Sequence, residues 1–316
     1  MDAKRVVWFV VSLLMTVPTL SLSVPPGAAA FGPSPLSSPR VSYSEVGYVA
    51  SLLIDGDVIW AGTHGGELVR LAVSSGALER FRFPSASGPL RSLVRDSRGA
   101  IWVGGEEAGL GRFDAGVWTV YTPVNSALPS SRVQDIAIDE MGVVWVATDA
   151  GLARIEGQTW DVYNTGNSGL VSDNVTSLSV DEAVWCGTDA GLSRFDAPWW
   201  TTYQATNSGL TDSRITALAH DGEGYLWVGT PSGLHRTDGG SDWHLYPDVP
   251  GPVLDILPYG SGDVWLNLDK VAGHLTACSL TTFDTDTIGV KATRPRSPWM
   301  HRDGCGPEVK EELPVW

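Results

Sequence analysis

Helix-forming runs are nearly absent from this chain of 316 residues, and charge is sparse, with 18% Asp, Glu, Lys and Arg. Acidic residues number 36 against 21 basic ones, a formal net charge of −15 at pH 7. An excess of that sign repels phosphate backbones and argues against nucleic acid as a partner, while by itself marking no acidic site. No Cys-x-x-Cys pair, Ser-His-Asp arrangement or Gly-rich phosphate loop can be picked out. Of the six histidines only His220, His235 and His244 fall close together. They lie on three separate expected strands without zinc-ligand spacing, so surface or turn roles are expected. The acidic loops carry no Asp-x-Asp-x-Asp run of the kind that binds calcium. No metal and no cofactor is expected.

Long apolar runs are confined to the first thirty residues. Lys4 and Arg5 precede an apolar stretch from Val6 to about Leu22, and small residues end at Ala28, Ala29 and Ala30. This is the three-part layout of a secretory leader, with cleavage expected after Ala30. Pro18 and several hydroxyl residues dilute the run, which favours a cleaved leader over a permanent span. An extracytoplasmic chain (periplasmic, cell-surface or secreted) without stable membrane insertion is expected. Cysteine is scarce, with Cys186, Cys278 and Cys305 the only three, an odd number for an oxidising compartment. Cys186 stands where other repeats have Val or Ala and reads as a core residue. Cys278 and Cys305 are placed to join the last repeat to the tail, a pairing that spacing alone leaves open.

Against these absences stand 14 Trp and 36 Gly residues, which suit short buried strands joined by tight turns. Trp60, Trp102, Trp145, Trp185, Trp227 and Trp265 recur at spacings of 42, 43, 40, 42 and 38 residues. Five of them open one phrase: Trp-Ala-Gly-Thr, Trp-Val-Gly-Gly, Trp-Val-Ala-Thr, Trp-Cys-Gly-Thr and Trp-Val-Gly-Thr. The sixth, Trp-Leu-Asn-Leu, departs from it. A Gly-Leu pair follows at Gly109, Gly151, Gly191 and Gly233, and a second aromatic at Trp118, Trp160, Trp200 and Trp243. The third unit resolves into strands over Val133–Ile138, Val143–Thr148, Gly151–Ile155 and Thr159–Tyr163. Four-stranded units with two apolar faces cannot bury themselves alone, and radial packing against copies is the standard solution. The fold expected is an all-β propeller of about six four-stranded antiparallel blades, near 49–84, 85–131, 132–173, 174–213, 214–251 and 252–288. Residues 31–48 and 289–316 would be a linker and a tail, and a seventh blade built from the two ends stays open.

The phrase Asp221-Gly-Glu-Gly-Tyr-Leu-Trp-Val-Gly-Thr-Pro-Ser-Gly-Leu234 resembles the two-component regulator propeller repeat, and five units carry versions of it. The resemblance implies an extracytoplasmic sensor-type propeller, often tuned to carbohydrate fragments and attached to a kinase. Here neither a kinase region nor a membrane span follows the blades, so the signalling role is the weaker part of that implication. The short repeats are also similar to those of streptogramin-lyase propellers. The Asp-x-x-Gly-x-x-Trp turns at Asp96, Asp139 and Asp221 are similar to the Asp-box of sialidase-like propellers, where such turns are structural.

Propeller ligands favour the face that carries the loops between strands two and three and the connections between blades. The first loop type offers His64, Glu106, Glu107, Asp149, Asp189, Ser232 and Asp269; the second offers Arg132, Asn174 and Arg214 at one equivalent position. Such groups could grip the hydroxyls of a polar ligand. Alternatively, the arginines pair with neighbouring acids and hold the blades in register. Asp135 and Asp255 share an inner-strand position where other blades have Ser51, Ser92, Ser177 and Ala217, and in a six-blade ring they would face each other across the channel. Trp199, beside Trp200, exceeds what the repeat needs and could stack on a sugar ring. The leading expectation is a non-enzymatic exported propeller that binds a small-molecule or carbohydrate ligand, or a protein partner, at its loop face. An exported lyase-like or glycosidase-like enzyme, with Asp135 and Asp255 as acid and base, and a structural envelope scaffold are the alternatives.

Overall fold

The computed structural model describes residues 48–84, 88–259, 262–269, 271–276, 279–284 and 289–295. The leader, Cys278, Cys305 and residues 296–316 lie outside the described residues, so the expected cleavage and the Cys278–Cys305 pairing do too. Among the described residues the chain forms six antiparallel sheets and no helix, in a six-bladed β-propeller. Blade 3 shows the pattern, with strands Val133–Ile138, Val144–Thr148, Gly151–Glu156 and Thr159–Tyr163 paired in chain order. These match the strands read from sequence to within a residue. The alternation of apolar residues sets the faces, and the Gly-Leu pair sets the turn into strand three. At Gly151 the backbone has φ of 128°, and an added Cβ would come within 2.6 Å of the Tyr163 carbonyl oxygen. A side chain there would break the edge of the sheet.

Blade 6 differs in having five strands. Gly289–Pro295, read as part of the tail, pairs outside Ser279–Asp284. This covers an edge that other blades leave to solvent.

Five apolar layers join successive blades. Leu68, Leu90, Ile101, Val103 and Phe113 form the one between blades 1 and 2, and equivalent clusters follow to the Trp227, Val253, Ile256 and Leu266 layer between blades 5 and 6. Strand-two tryptophans sit in these layers, as expected, with Trp102, Trp145, Trp185 and Trp227 all buried. The strand-four aromatics interlock: Tyr121 meets Trp160 at 5.4 Å, Tyr163 meets Trp200 at 5.6 Å and Tyr203 meets Trp243 at 5.6 Å between ring centroids. Each such contact adds about 0.5–1.5 kcal/mol beyond simple burial. Blade 1 keeps a separate small cluster of Val49, Ala61 and Val69, and no cluster of described residues joins blade 6 to blade 1.

The small residue two places after each tryptophan explains the repeated phrase. A Cβ on Gly104 would lie 2.6 Å from Val133 of the next blade, and one on Gly229 would lie 3.0 Å from Val253. The leading residue of the following blade therefore seats over a bare backbone, except after blade 3, where Val175 packs with the methyl of Ala147. Asn267 takes this position in blade 6.

Candidate functional site

The inner strands are tied together by side chains. Ser51 Oγ donates to the Leu90 carbonyl at 2.7 Å, Ser92 Oγ donates to Asp135 at 2.9 Å, and the Leu178 amide donates to the other Asp135 oxygen at 2.8 Å. Thr176 Oγ1 reaches the Ile215 carbonyl at 2.9 Å, and Thr216 Oγ1 reaches that of Val253. One such bond spans every junction from blade 1 to blade 6. Asp135 is thus a tie between three blades. Burial raises its pKa, against the bonds from Leu178, Ser92 and Ile136, which lower it. Asp255 is pushed up to about 6, first by crowding from the surrounding protein, with the charge of Asp135 adding to the effect. The Asp255 residue is exposed to solvent, although neighbouring protein crowds its carboxyl. The amide of Ile256 donates to it at 2.9 Å. The structure therefore brings these two carboxyls within electrostatic reach of each other.

On the loop face the predicted residues fall into local groups. Arg132 lies 3.7 Å from Asp149, and both are exposed. Asn174 donates to Asp189 at 3.2 Å and accepts from Gln134 at 2.7 Å. Ser172, Asn174 and the Arg214 charge lower the Asp189 pKa, with Ser172 the largest contributor. Gln134, Asn174, Asp189 and Arg214 thus make one polar row across blades 3 to 5. Glu106 pairs with Arg91 at 2.9 Å, while Glu107 is exposed beside it. His64 sits edge-on to Tyr48, 6.4 Å between centroids, remote from the row in blade 1. Ser232 donates to Asp212 at 3.2 Å, and Asp269 holds a positive φ of 60° at its turn. Arg91 and Gln134 were not singled out by sequence; their signal was a shared position one residue after the leading residue of the strand.

Trp199 is 76% exposed, whereas Trp200 packs 4.7 Å from Phe195 in the layer. Cys186 is buried, and burial raises its thiol pKa. His235, expected at a surface or turn, is instead fully buried on strand three, where its Nε2 accepts from the Thr211 amide at 3.1 Å. Among the described residues no three His, Cys, Asp or Glu side chains gather as a metal cage, and no helix is long and apolar enough to cross a membrane.

On the opposite face, the Asp-x-x-Gly-x-x-Trp turns are carboxylate clamps. Asp221 Oδ1 accepts the amides of Glu223 and Tyr225; its Oδ2 accepts Trp227 Nε1 at 2.9 Å and Arg236 Nε at 3.0 Å. Burial alone would raise the Asp221 pKa, but these donors outweigh it and the pKa is lowered. Asp96 and Asp139 hold Trp102 and Trp145 in the same way, each at 3.2 Å.

Residues 209–232, which span that Asp221 turn, match the family described as two component regulator propeller. Over that stretch the repeat is similar to the two component regulator propeller. Its fold relatives include the extracellular domain of a protein assigned as a hybrid two component system of B. thetaiotaomicron, with 20% identity and a TM-score of 0.64. That match covers 75% of this chain and 34% of the other, so the present propeller spans about a third of its relative's length. Virginiamycin B lyase of Staphylococcus aureus aligns over 74% of this chain and 90% of its own, with 14% identity and a TM-score of 0.61. At such identities the likeness to both speaks for the fold. No curated protein sequence matches the chain. The clamp residues Asp221 and Trp227 fall inside the matched stretch, where their bond is structural.

Proposed function

We propose that this propeller is an exported, sensor-like module that binds a hydroxyl-rich ligand of carbohydrate type at its loop face without turning it over. The observation that carries this reading is the polar row of Gln134, Asn174, Asp189 and Arg214 across three blades, with Arg132 and Asp149 beside it. Amide, carboxylate and guanidinium groups fixed side by side offer donors and acceptors at set spacing, as hydroxyl recognition requires. The extracytoplasmic placement follows the leader-like segment and the extracellular relative.

A panel of oligosaccharides and small polyols tested by thermal shift checks the proposal. A true ligand raises the melting temperature with concentration, because only the folded state binds it. The shift should vanish when Arg132, Asn174 and Arg214 are all changed to Ala. A protein-only partner, or a ligand effect untouched by that triple change, overturns the reading. An enzymatic alternative draws on Asp255, whose pKa of about 6 suits an acid or base. Its partner Asp135 already serves three blades as a tie, which favours a structural channel. Turnover abolished by Asp255→Asn and retained in the triple variant would reverse that preference.

A further inference from the structure

Blade 4 breaks the clamp rule. Its turn runs Asp181-Glu182-Ala183-Val184-Trp185, two residues shorter than Asp221 to Trp227, which is why the Trp145 to Trp185 spacing drops to 40. Asp181 still begins the turn, its amide bonding to the Ala183 carbonyl, but among the described residues no carboxylate takes Trp185 Nε1 as Asp96, Asp139 and Asp221 take their tryptophans. The two donors that grip Asp221 in blade 5 have direct counterparts here, since Arg194 is the cross-strand neighbour of Trp185 as Arg236 is of Trp227. Arg194 lies over the Trp185 ring at 5.5 Å, yet its Nε is buried with no hydrogen-bond partner. Among the described residues its one ion pair is a long one, 3.4 Å, to the exposed Asp196, and the guanidinium also bears on Tyr203. A cavity of about 70 Å³ opens at this point, lined by Trp185, Arg194, His220, Asp181, Glu182 and Asp238.

Blade 1 also lacks the clamp, but there Arg70 is engaged by Glu79 at 3.0 Å. Only in blade 4 do an unpaired guanidinium nitrogen and a cavity coincide among the described residues.

We propose that this cavity binds a small zwitterion of the amino-acid class, whose carboxylate takes the place that the Asp221 carboxylate holds in blade 5. Trp185 Nε1 and Arg194 Nε would donate to one carboxylate oxygen, following the 2.9 and 3.0 Å geometry of the blade 5 clamp. A simple acid is the poorer fit because Asp181, Glu182 and Asp238 also line the cavity and outnumber the single guanidinium. Those carboxylates suit the ammonium group, so the two ends of the ligand meet opposite charges. His220 forms part of the wall, with Nδ1 held 2.8 Å from Ser179 Oγ. The volume limits the ligand to the scale of glycine or alanine. The site lies on the face opposite the loop row and stands or falls independently of it.

Calorimetric titration and thermal shift of the full chain with glycine, alanine, acetate and methylamine test the assignment. Alanine or glycine should bind saturably, while acetate and methylamine each bind at least about tenfold more weakly, as loss of one charged contact implies. Arg194→Lys and Trp185→Phe should each weaken binding by about tenfold or more. Trp185 belongs to the core, so a third variant guards against misfolding: replacing Asp181-Glu182-Ala183 with Asp-Gly-Glu-Gly-Tyr restores the blade 5 turn and supplies an internal carboxylate. That variant should stay folded, melt at or above the wild-type temperature, and lose amino-acid binding. Equal affinity for acetate and alanine, unaltered binding after the turn replacement, or no saturable binding of any of the four probes would overturn the proposal.

Discussion

Single carboxylates in this molecule have opposite fates depending on what faces them. Asp221 is 8% exposed and meets two amides, an indole and a guanidinium, so its pKa falls. Asp221→Ala would strand Trp227 Nε1 and Arg236, and should cost about 2–4 kcal/mol in a denaturant titration. Arg132→Ala, which removes an exposed partner, should cost less than about 1 kcal/mol in the same assay. Asp255 is the reverse case: its folded pKa of about 6 lies above the ordinary aspartate value of 3.8. The folded chain then holds the proton more tightly than the unfolded chain between about pH 4 and 6, so stability drops as pH rises through that window. Asp255→Asn should therefore melt higher than wild type at pH 7.5 and no differently below about pH 4. Melting curves across that range check the sign.

At the level of the strand and blade, the recurring phrase was legible because its parts answer to separate physical demands. Tryptophan fills the layer, glycine admits the leading residue of the next blade, and the Gly-Leu pair turns the chain. Gly104→Val and Gly229→Val should each destabilise by about 1–3 kcal/mol through overpacking against Val133 and Val253. Asn267→Ala should change the denaturation midpoint little, because no cluster of described residues seats over that position from blade 1. Other features were hidden for equally physical reasons. His235 was misplaced because a buried imidazole depends on the Thr211 amide 24 residues away, a contact no local pattern shows. The fifth strand at Gly289–Pro295 carries no tryptophan phrase. The blade 4 cavity left only a two-residue shortfall in the repeat, which looks like ordinary turn variation until Arg194 is seen without its acceptor.

For the whole molecule, the count and order of blades followed from sequence, whereas the loop-face residues could be placed but not ranked, since five near-equal repeats present similar groups at similar positions. Which of them act together emerged only from distances, as in the row from Gln134 to Asp189. The packed layers number five among the described residues, and each of those five junctions also carries at least one hydrogen bond between inner strands. Among the described residues blades 2 to 5 have such partners on both sides, with blades 3 and 4 at the middle, and blades 1 and 6 have them on one. Amide hydrogen exchange should accordingly protect Val144–Thr148 and Val184–Thr188 longest and release Val58–Thr63 and Asp263–Leu268 first. Among the described residues the packed links run like beads along a thread from blade 1 to blade 6. Each interior bead is gripped from two sides, so a substitution that loosens one junction, such as Gly104→Val, is felt by the blades on both sides of it.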